Sequence, residues 1–168
     1  MWVIAFLYNG RYKETGFTGN VMVALCVASF FIFWGVTVGQ VSDPIVGIFG
    51  ALAFVFDLSE EVASDAMDME GDEQRSTLSV ARVHGKKYAL RVSSFFYALF
   101  VLVSAVPFIF GWLSDIYLVA FVPMDIALAY LAMKLARSGT IEEGRAIIRQ
   151  LYLIITGFVG VVIVLSVI

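Results

Sequence analysis

Cysteine and histidine are almost absent: Cys26 and His84 are the only ones in 168 residues. A single cysteine inside an apolar run excludes a disulfide framework. A lone histidine in a polar stretch, with no partner in view, reads as surface. Proline is scarce too, with three in all, at positions 44, 107 and 123. Charged residues make up only 15% of the chain, with a net charge of −3, and nothing in their pattern points to nucleic acid. The opening MWVIAFLYNG has neither a basic n-region nor a small-residue cleavage site, so no cleavable leader is expected. What remains is apolar. The chain is 61% hydrophobic, with a mean hydropathy of +0.92, whereas soluble domains sit at about 45–50%. The class is therefore membrane protein.

Met1 to Tyr8 is apolar but too short to span, because a crossing needs about 20 residues rising about 1.5 Å each. It reads as the last turns of a helix begun elsewhere. A polar loop follows from Asn9 to Asn20, carrying Arg11, Lys13 and Glu14 and broken by Gly10, Gly16 and Gly19. The first complete span is placed at Val21–Val38, with Gly35 and Gly39 spaced for close helix packing. Pro44 suits a first helical turn. It opens a second span, apolar from Ile45 to Phe56 and then acidic towards Met69. Leu78 to Arg91 reads as a polar linker. Further spans are expected at Val92–Trp112, Ile116–Leu135 and Ala146–Ile168, with kinks at Pro107 and Pro123. The expected fold is all-α: a polytopic membrane helix bundle with five complete transmembrane helices plus a partial N-terminal one.

The eleven lysines and arginines fall into three segments: Arg11 and Lys13; Arg75 to Arg91; and Lys134 to Arg149. The alternate turns, Gly39 to Pro44 and Gly111 to Asp115, carry none. This is the positive-inside pattern, and it puts the three basic segments on the cytoplasmic side of an integral membrane protein.

The second span holds the chemistry. On a helix, Asp57, Glu61, Asp65, Asp68 and Asp72 step by four, four, three and four, which keeps all five carboxylates on one face. Like charges in a row repel, and the simplest relief is a divalent cation. Oxygen-only donors favour a hard ion such as Mg2+. Asp57 lies about 12 Å deeper than Asp65 along the axis, and an acid at such depth must face a protein-lined or wet cavity. Asp125 is a second deep acid, with a pairing or packing role as the plain alternative. An acidic cavity at the cytoplasmic mouth of an apolar bundle, beside Arg75, Lys86 and Lys87, suits a substrate with a diphosphate head and a lipid tail. Phe54, Phe56, Phe95, Phe96 and Tyr97 are available to face an allylic cation, although aromatics are also ordinary membrane packing.

The run from Glu61 through Asp65, Asp68, Gly71 and Asp72 to Thr77 and Leu78 resembles the second aspartate-rich motif of the UbiA superfamily of intramembrane prenyltransferases. It looks closest to the archaeal branch, the digeranylgeranylglyceryl phosphate synthases, where the segment reads roughly R-E-x-x-K-D-x-x-D-x-x-G-D and then T-L-P. Tyr8-Asn9, Lys13, Gly16, Gly19 and Asn20 resemble that family's earlier loop. The resemblance implies a Mg2+-dependent transfer of a geranylgeranyl or similar group from its diphosphate to a lipid acceptor such as geranylgeranylglyceryl phosphate. It further implies that Asp65, Asp68 and Asp72 are catalytic, that Glu61 joins them as metal ligands, and that Tyr8, Asn9, Lys13 and Arg75 bind substrate.

The sequence departs from the pattern in places. Glu60 stands where the family often has Arg, Ser64 where it often has Lys, and Ser79 where Pro is usual, and the linker after Asp72 is about two residues short. The first aspartate-rich motif of the family is missing. Residues 1–168 therefore correspond to the C-terminal part of a UbiA-like domain, expected to be inactive alone and to need an N-terminal half carrying that motif. Other superfamily members prenylate aromatic quinone precursors, and the acceptor is open at this stage. A CDP-alcohol phosphotransferase wants D-x-x-D-G, and here Met69 follows Asp68. A cation-binding or transport protein explains the deep acids but not the Gly71-Asp72 and Thr77-Leu78 tail.

Overall fold

The computed structural model describes residues 6, 10, 12, 15–69 and 78–167. Helix α1 spans Phe17–Thr37 and α2 Pro44–Asp68. A short helix α3, Val80–His84, is followed by α4, Lys86–Ser104, and by α5, Val106–Ile109. A 3-10 turn at Asp115–Tyr117 leads into α6, Leu118–Ala136, and the last helix is α7, Ile141–Leu165. Among the described residues every regular element is helical.

The helix ends follow local chemistry. The Asp43 side chain accepts from the Ile45 N–H at 2.8 Å, and Pro44 occupies the first turn, where its missing donor costs nothing. Thr140 Oγ1 accepts from the Glu143 N–H at 3.1 Å, while Glu143 Oε2 accepts from the Gly139 N–H at 3.1 Å, a reciprocal cap that starts α7 five residues earlier than the apolar run implies. The expected polar linker at 78–91 is corrected: Ser79 caps α3, Gly85 at φ 87 breaks it, and α4 begins at Lys86. Lys86, Lys87 and Arg91 are good helix formers whose long stems let their charges reach water from a helix end. Pro107 lies inside the apolar stretch Lys86–Ile109, in the short helix α5 just after the break that ends α4, as expected of a proline within a span. Helix α6, by contrast, runs through Pro123.

Among the described residues four stretches are long and apolar enough to cross a membrane: Phe17–Thr37, Lys86–Ile109, Asp115–Ala136 and Ile141–Leu165. Only 22% to 33% of the most apolar window of each is buried within the chain, so most of their apolar surface faces outward. Exposed Trp34, Phe95, Leu102, Ile109 and Leu153 form such a surface. In water an apolar surface of this extent would drive association, whereas lipid solvates it. Helix α2 is as long as α7 at 25 residues, but its second half carries Asp57, Glu60, Glu61, Asp65 and Asp68. The partial helix expected at Met1–Tyr8 lies, apart from Phe6, outside the described residues.

Helix α2 is the centre of the bundle. It packs on α1 and α4; α4 packs on α6, α6 on α7, and α7 returns to α2. Leu52, Val55, Leu58, Val62, Ala63, Ala66 and Met67 are all buried on it. Small residues set two of its crossings. A Cβ at Gly35 would lie 2.7 Å from Val46 Cγ1, and one at Gly144 would lie 2.2 Å from Met67 Sδ, so α1 and α7 approach α2 where neither has a side chain. Gly39 is not the packing partner its spacing implies; at φ 72, with open space around it, it makes the turn into α2.

Gly16, ahead of α1, combines both demands. Its φ is 64, and a Cβ there would sit 1.9 Å from the Leu78 carbonyl oxygen. The two loops that carry the sequence resemblance therefore meet backbone to backbone. Gly16→Ala is expected to destabilise the protein by roughly 2–4 kcal/mol, through strain plus overlap. Gly39→Ala, strained but unhindered, is expected to lose only about 1–2 kcal/mol. Thermal unfolding of both variants in one detergent checks the contrast, and equal losses would contradict it.

Candidate functional site

Helical spacing brings Asp57, Glu61, Asp65 and Asp68 to one side of α2, as the step pattern predicts, and the surrounding helices give each a different setting. Asp65 is half-buried and its Oδ2 accepts from Asn20 Nδ2 at 2.9 Å, across 45 residues of chain. Asn20 itself is buried at the start of α1. Asp68, at the exposed end of α2, pairs with Arg145 Nη2 of α7 at 2.6 Å. Glu61 is half-buried among Glu60, Asp57 and Asp65. Asp72, Arg75, Tyr8, Asn9 and Lys13 fall outside the described residues.

Two of the sequence's departures form one local unit. Glu60 is buried, and the Ser64 hydroxyl one turn on donates to its Oε1. The Tyr152 phenol of α7 lies beside Glu60. An isolated buried carboxylate is costly, and the Ser64 donor offsets part of that cost. The i, i+4 spacing of 60 and 64 was visible in the sequence; that Glu60 turns inward was not, because its partner Tyr152 lies 92 positions away.

Above the acids lies an apolar cavity of about 270 Å³, lined by Phe31, Phe49, Phe56, Phe100 and Phe158, with Asp57 and Tyr152 as polar groups on its wall. Phe56 is the hub: its ring meets Tyr97, Phe100 and Tyr152 edge-on at 5.8, 6.1 and 5.9 Å. Of the other aromatics named from sequence, Phe96 stacks on Phe17 and Phe95 points outward, so neither lines this cavity. Asp57 Oδ2 is buried with no hydrogen-bond partner among the described residues, and so is the Tyr97 hydroxyl. Asp125 stands apart from this cavity: Ser104 Oγ donates to its Oδ2 at 2.7 Å, a pairing role between α6 and α4. His84 packs on Tyr88 at 4.9 Å near the surface.

Among the described residues no three histidine, cysteine, aspartate or glutamate side chains close into a metal-holding cluster. The helix explains this. Successive carboxylates four residues apart are displaced by about 6 Å along the axis, so an ion can bridge neighbours only if other ligands complete its shell. The donor chemistry still fits a hard divalent ion: it is all oxygen, on one side of α2, and includes Asp57 Oδ2, which has no hydrogen-bond partner among the described residues.

Among the described residues the chain is a helical bundle with outward-facing apolar surfaces and a carboxylate row below an aromatic cavity, which defines an integral membrane helix-bundle protein. The family is explicit: the UbiA prenyltransferase family matches residues 1–165, and the chain belongs to it. Digeranylgeranylglyceryl phosphate synthase of Methanopyrus kandleri is 36% identical over 144 residues, covering 86% of this chain and 52% of that protein. The Archaeoglobus fulgidus enzyme of the same name is 31% identical over 132 residues, covering 76% and 45%. A solved structure described as giving insights into the biosynthesis of digeranylgeranylglyceryl phosphate synthase in membranes superposes with a TM-score of 0.83 at 27% identity. That match covers 92% of this chain and 54% of the other. The chain thus spans about half the length of the relatives it matches.

Asn20 was noted in sequence only as part of a loop; the structure makes it the amide that holds Asp65. Asn20→Leu is expected to cost about 1–3 kcal/mol by leaving a half-buried carboxylate without that donor. Asn20→Asp should be worse in metal-free buffer, because it sets two carboxylates together, and millimolar Mg2+ should recover part of the loss. Melting temperatures with and without Mg2+ check this; an Asn20→Asp variant as stable as the parent in EDTA would contradict it.

Proposed function

We propose that this chain forms the second acidic half of a prenyltransferase active site that moves a geranylgeranyl or similar group from its diphosphate to the hydroxyl of a lipid such as geranylgeranylglyceryl phosphate. The observation that carries the reading is the row Glu61, Asp65 and Asp68 ending below an apolar aromatic cavity, in a chain of the UbiA family. The names of the relatives support the choice of acceptor.

In this reading Glu61, Asp65, Asp68 and Asp72 hold Mg2+, with Tyr8, Asn9, Lys13 and Arg75 on the substrate side. The ion, when bound, neutralises the diphosphate as it leaves. The residues of the chain do the rest. Asn20 fixes the orientation of Asp65. The Glu60, Ser64 and Tyr152 unit ties α2 to α7 beside the cavity. The phenylalanine walls take the prenyl tail and keep water from a carbon that becomes cationic as its bond to oxygen lengthens. The acidic end faces the cytoplasm, by the basic segments around it. Helix α2 serves as a further membrane-embedded helix beside the four apolar spans, giving the five-helix count.

The set of carboxylates is completed, we propose, by the family's first aspartate-rich motif, carried on an N-terminal half outside these 168 residues. The purified chain is then expected to bind magnesium diphosphate but to transfer no prenyl group. Co-reconstitution with an N-terminal half of a relative, carrying that motif, should restore radiolabelled geranylgeranyl transfer, and Asp65→Asn or Asp68→Asn should reduce the restored rate at least 100-fold. Transfer by the chain alone would contradict the division of the site, and full activity in Asp65→Asn would contradict the metal assignment.

A further inference from the structure

We infer that Arg145, on the last helix, is a diphosphate-binding residue that exchanges its present partner, Asp68, for the phosphate oxygens when a metal ion claims that carboxylate. This rests on the reading of the acidic row as a metal–diphosphate site. Three observations on the page lead to it. First, the contact is placed by the fold. Met67 and Gly144 are the crossing point of α2 and α7, so close that a Cβ on Gly144 would overlap the Met67 thioether. Asp68 and Arg145 are the next residue on each helix, and they meet at 2.6 Å.

Second, the pair is solvated, with side chains 57% and 54% exposed, so it contributes little to stability as a static clamp. A guanidinium held this carefully in a place where it adds little to folding is better explained by a ligand. Third, α2 carries five acids, Asp57, Glu60, Glu61, Asp65 and Asp68, and no lysine or arginine of its own. Glu60 is buried, and the Ser64 hydroxyl that donates to it is neutral. A diphosphate bound against this row carries more negative charge than one divalent ion cancels, so a cation must come from another helix. Arg145 supplies it at the open end, and its planar fork matches paired phosphate oxygens. Lys86, on the wall of a neighbouring cavity of about 480 Å³ with Ala66 and Met69, stands on the other side of the same helix end.

The exchange is a change of partner only. Metal binding draws Asp68 away, the guanidinium swings to the phosphate oxygens, and no bond is made or broken covalently. The test uses the full 168-residue chain in detergent, titrated calorimetrically with inorganic pyrophosphate in the presence of Mg2+. Arg145→Gln is expected to weaken binding at least tenfold, Arg145→Lys less, and neither should move the melting temperature by more than a degree or two. Pyrophosphate affinity unchanged in Arg145→Gln, while the parent binds, would overturn the inference and leave the metal–diphosphate site standing. A large drop in melting temperature with unchanged affinity would make Arg145 a structural clamp and overturn it equally. No magnesium-dependent binding by the parent would overturn the site reading itself, and the role of Arg145 with it.

Discussion

Carboxylates held in one row at the end of an apolar bundle must be given countercharge or hydrogen bonds, and most of the structure around α2 answers that requirement. Beside the row, Glu60, the most buried acid of α2, takes a hydroxyl donor from Ser64 and lies next to Tyr152. Asp65 takes an amide from α1, and Asp68 a guanidinium from α7. Two helices, α1 and α7, are thereby tied to α2 by its acids and by the glycines that let them approach. The apolar half of the same helix builds the core and the aromatic cavity. One element thus carries both the fold and the site, and the two are joined at Asp57, where the acid row enters the cavity wall.

The division of labour among helices follows from composition. Helix α1 is apolar on all sides, and only Gly19, Asn20, Ala24 and Gly35 are buried on it, so it presents most of its surface outward and touches α2 through its small residues. Helix α2 is buried on eleven of 25 positions and cannot be exposed to lipid over its acidic half. The glycines at 35 and 144 act as spacers that bring backbones together, and the second of these approaches sets Arg145 beside Asp68.

Much of the architecture was legible in residue order. The apolar runs located the long helices, Pro44 marked the start of α2, and the four-four-three spacing put Asp57, Glu61, Asp65 and Asp68 on one face. Local patterns missed what depended on contacts far apart in the chain. Asn20 looked like a loop residue because its partner is 45 positions away, and Tyr152 and Arg145 looked like ordinary members of a membrane helix and its polar flank. The region from 78 to 91 looked like a linker because it is basic; it in fact folds into a short helix capped by Ser79 and the first turns of α4. Gly39 matched a packing spacing and turned out to serve a turn, since period alone does not distinguish a crossing from a positive φ.

The central claim is that the acid row of α2 is a cation site facing the aromatic cavity. The most direct measurement is an anomalous difference map from crystals of the membrane-extracted protein soaked with Mn2+ and a non-hydrolysable prenyl diphosphate. The account predicts a manganese peak within coordination distance of Asp65 and Asp68, with the prenyl chain leading from it towards Phe56 and Phe100. A peak elsewhere, or a lipid chain in the cavity with no ion against those carboxylates, would contradict it.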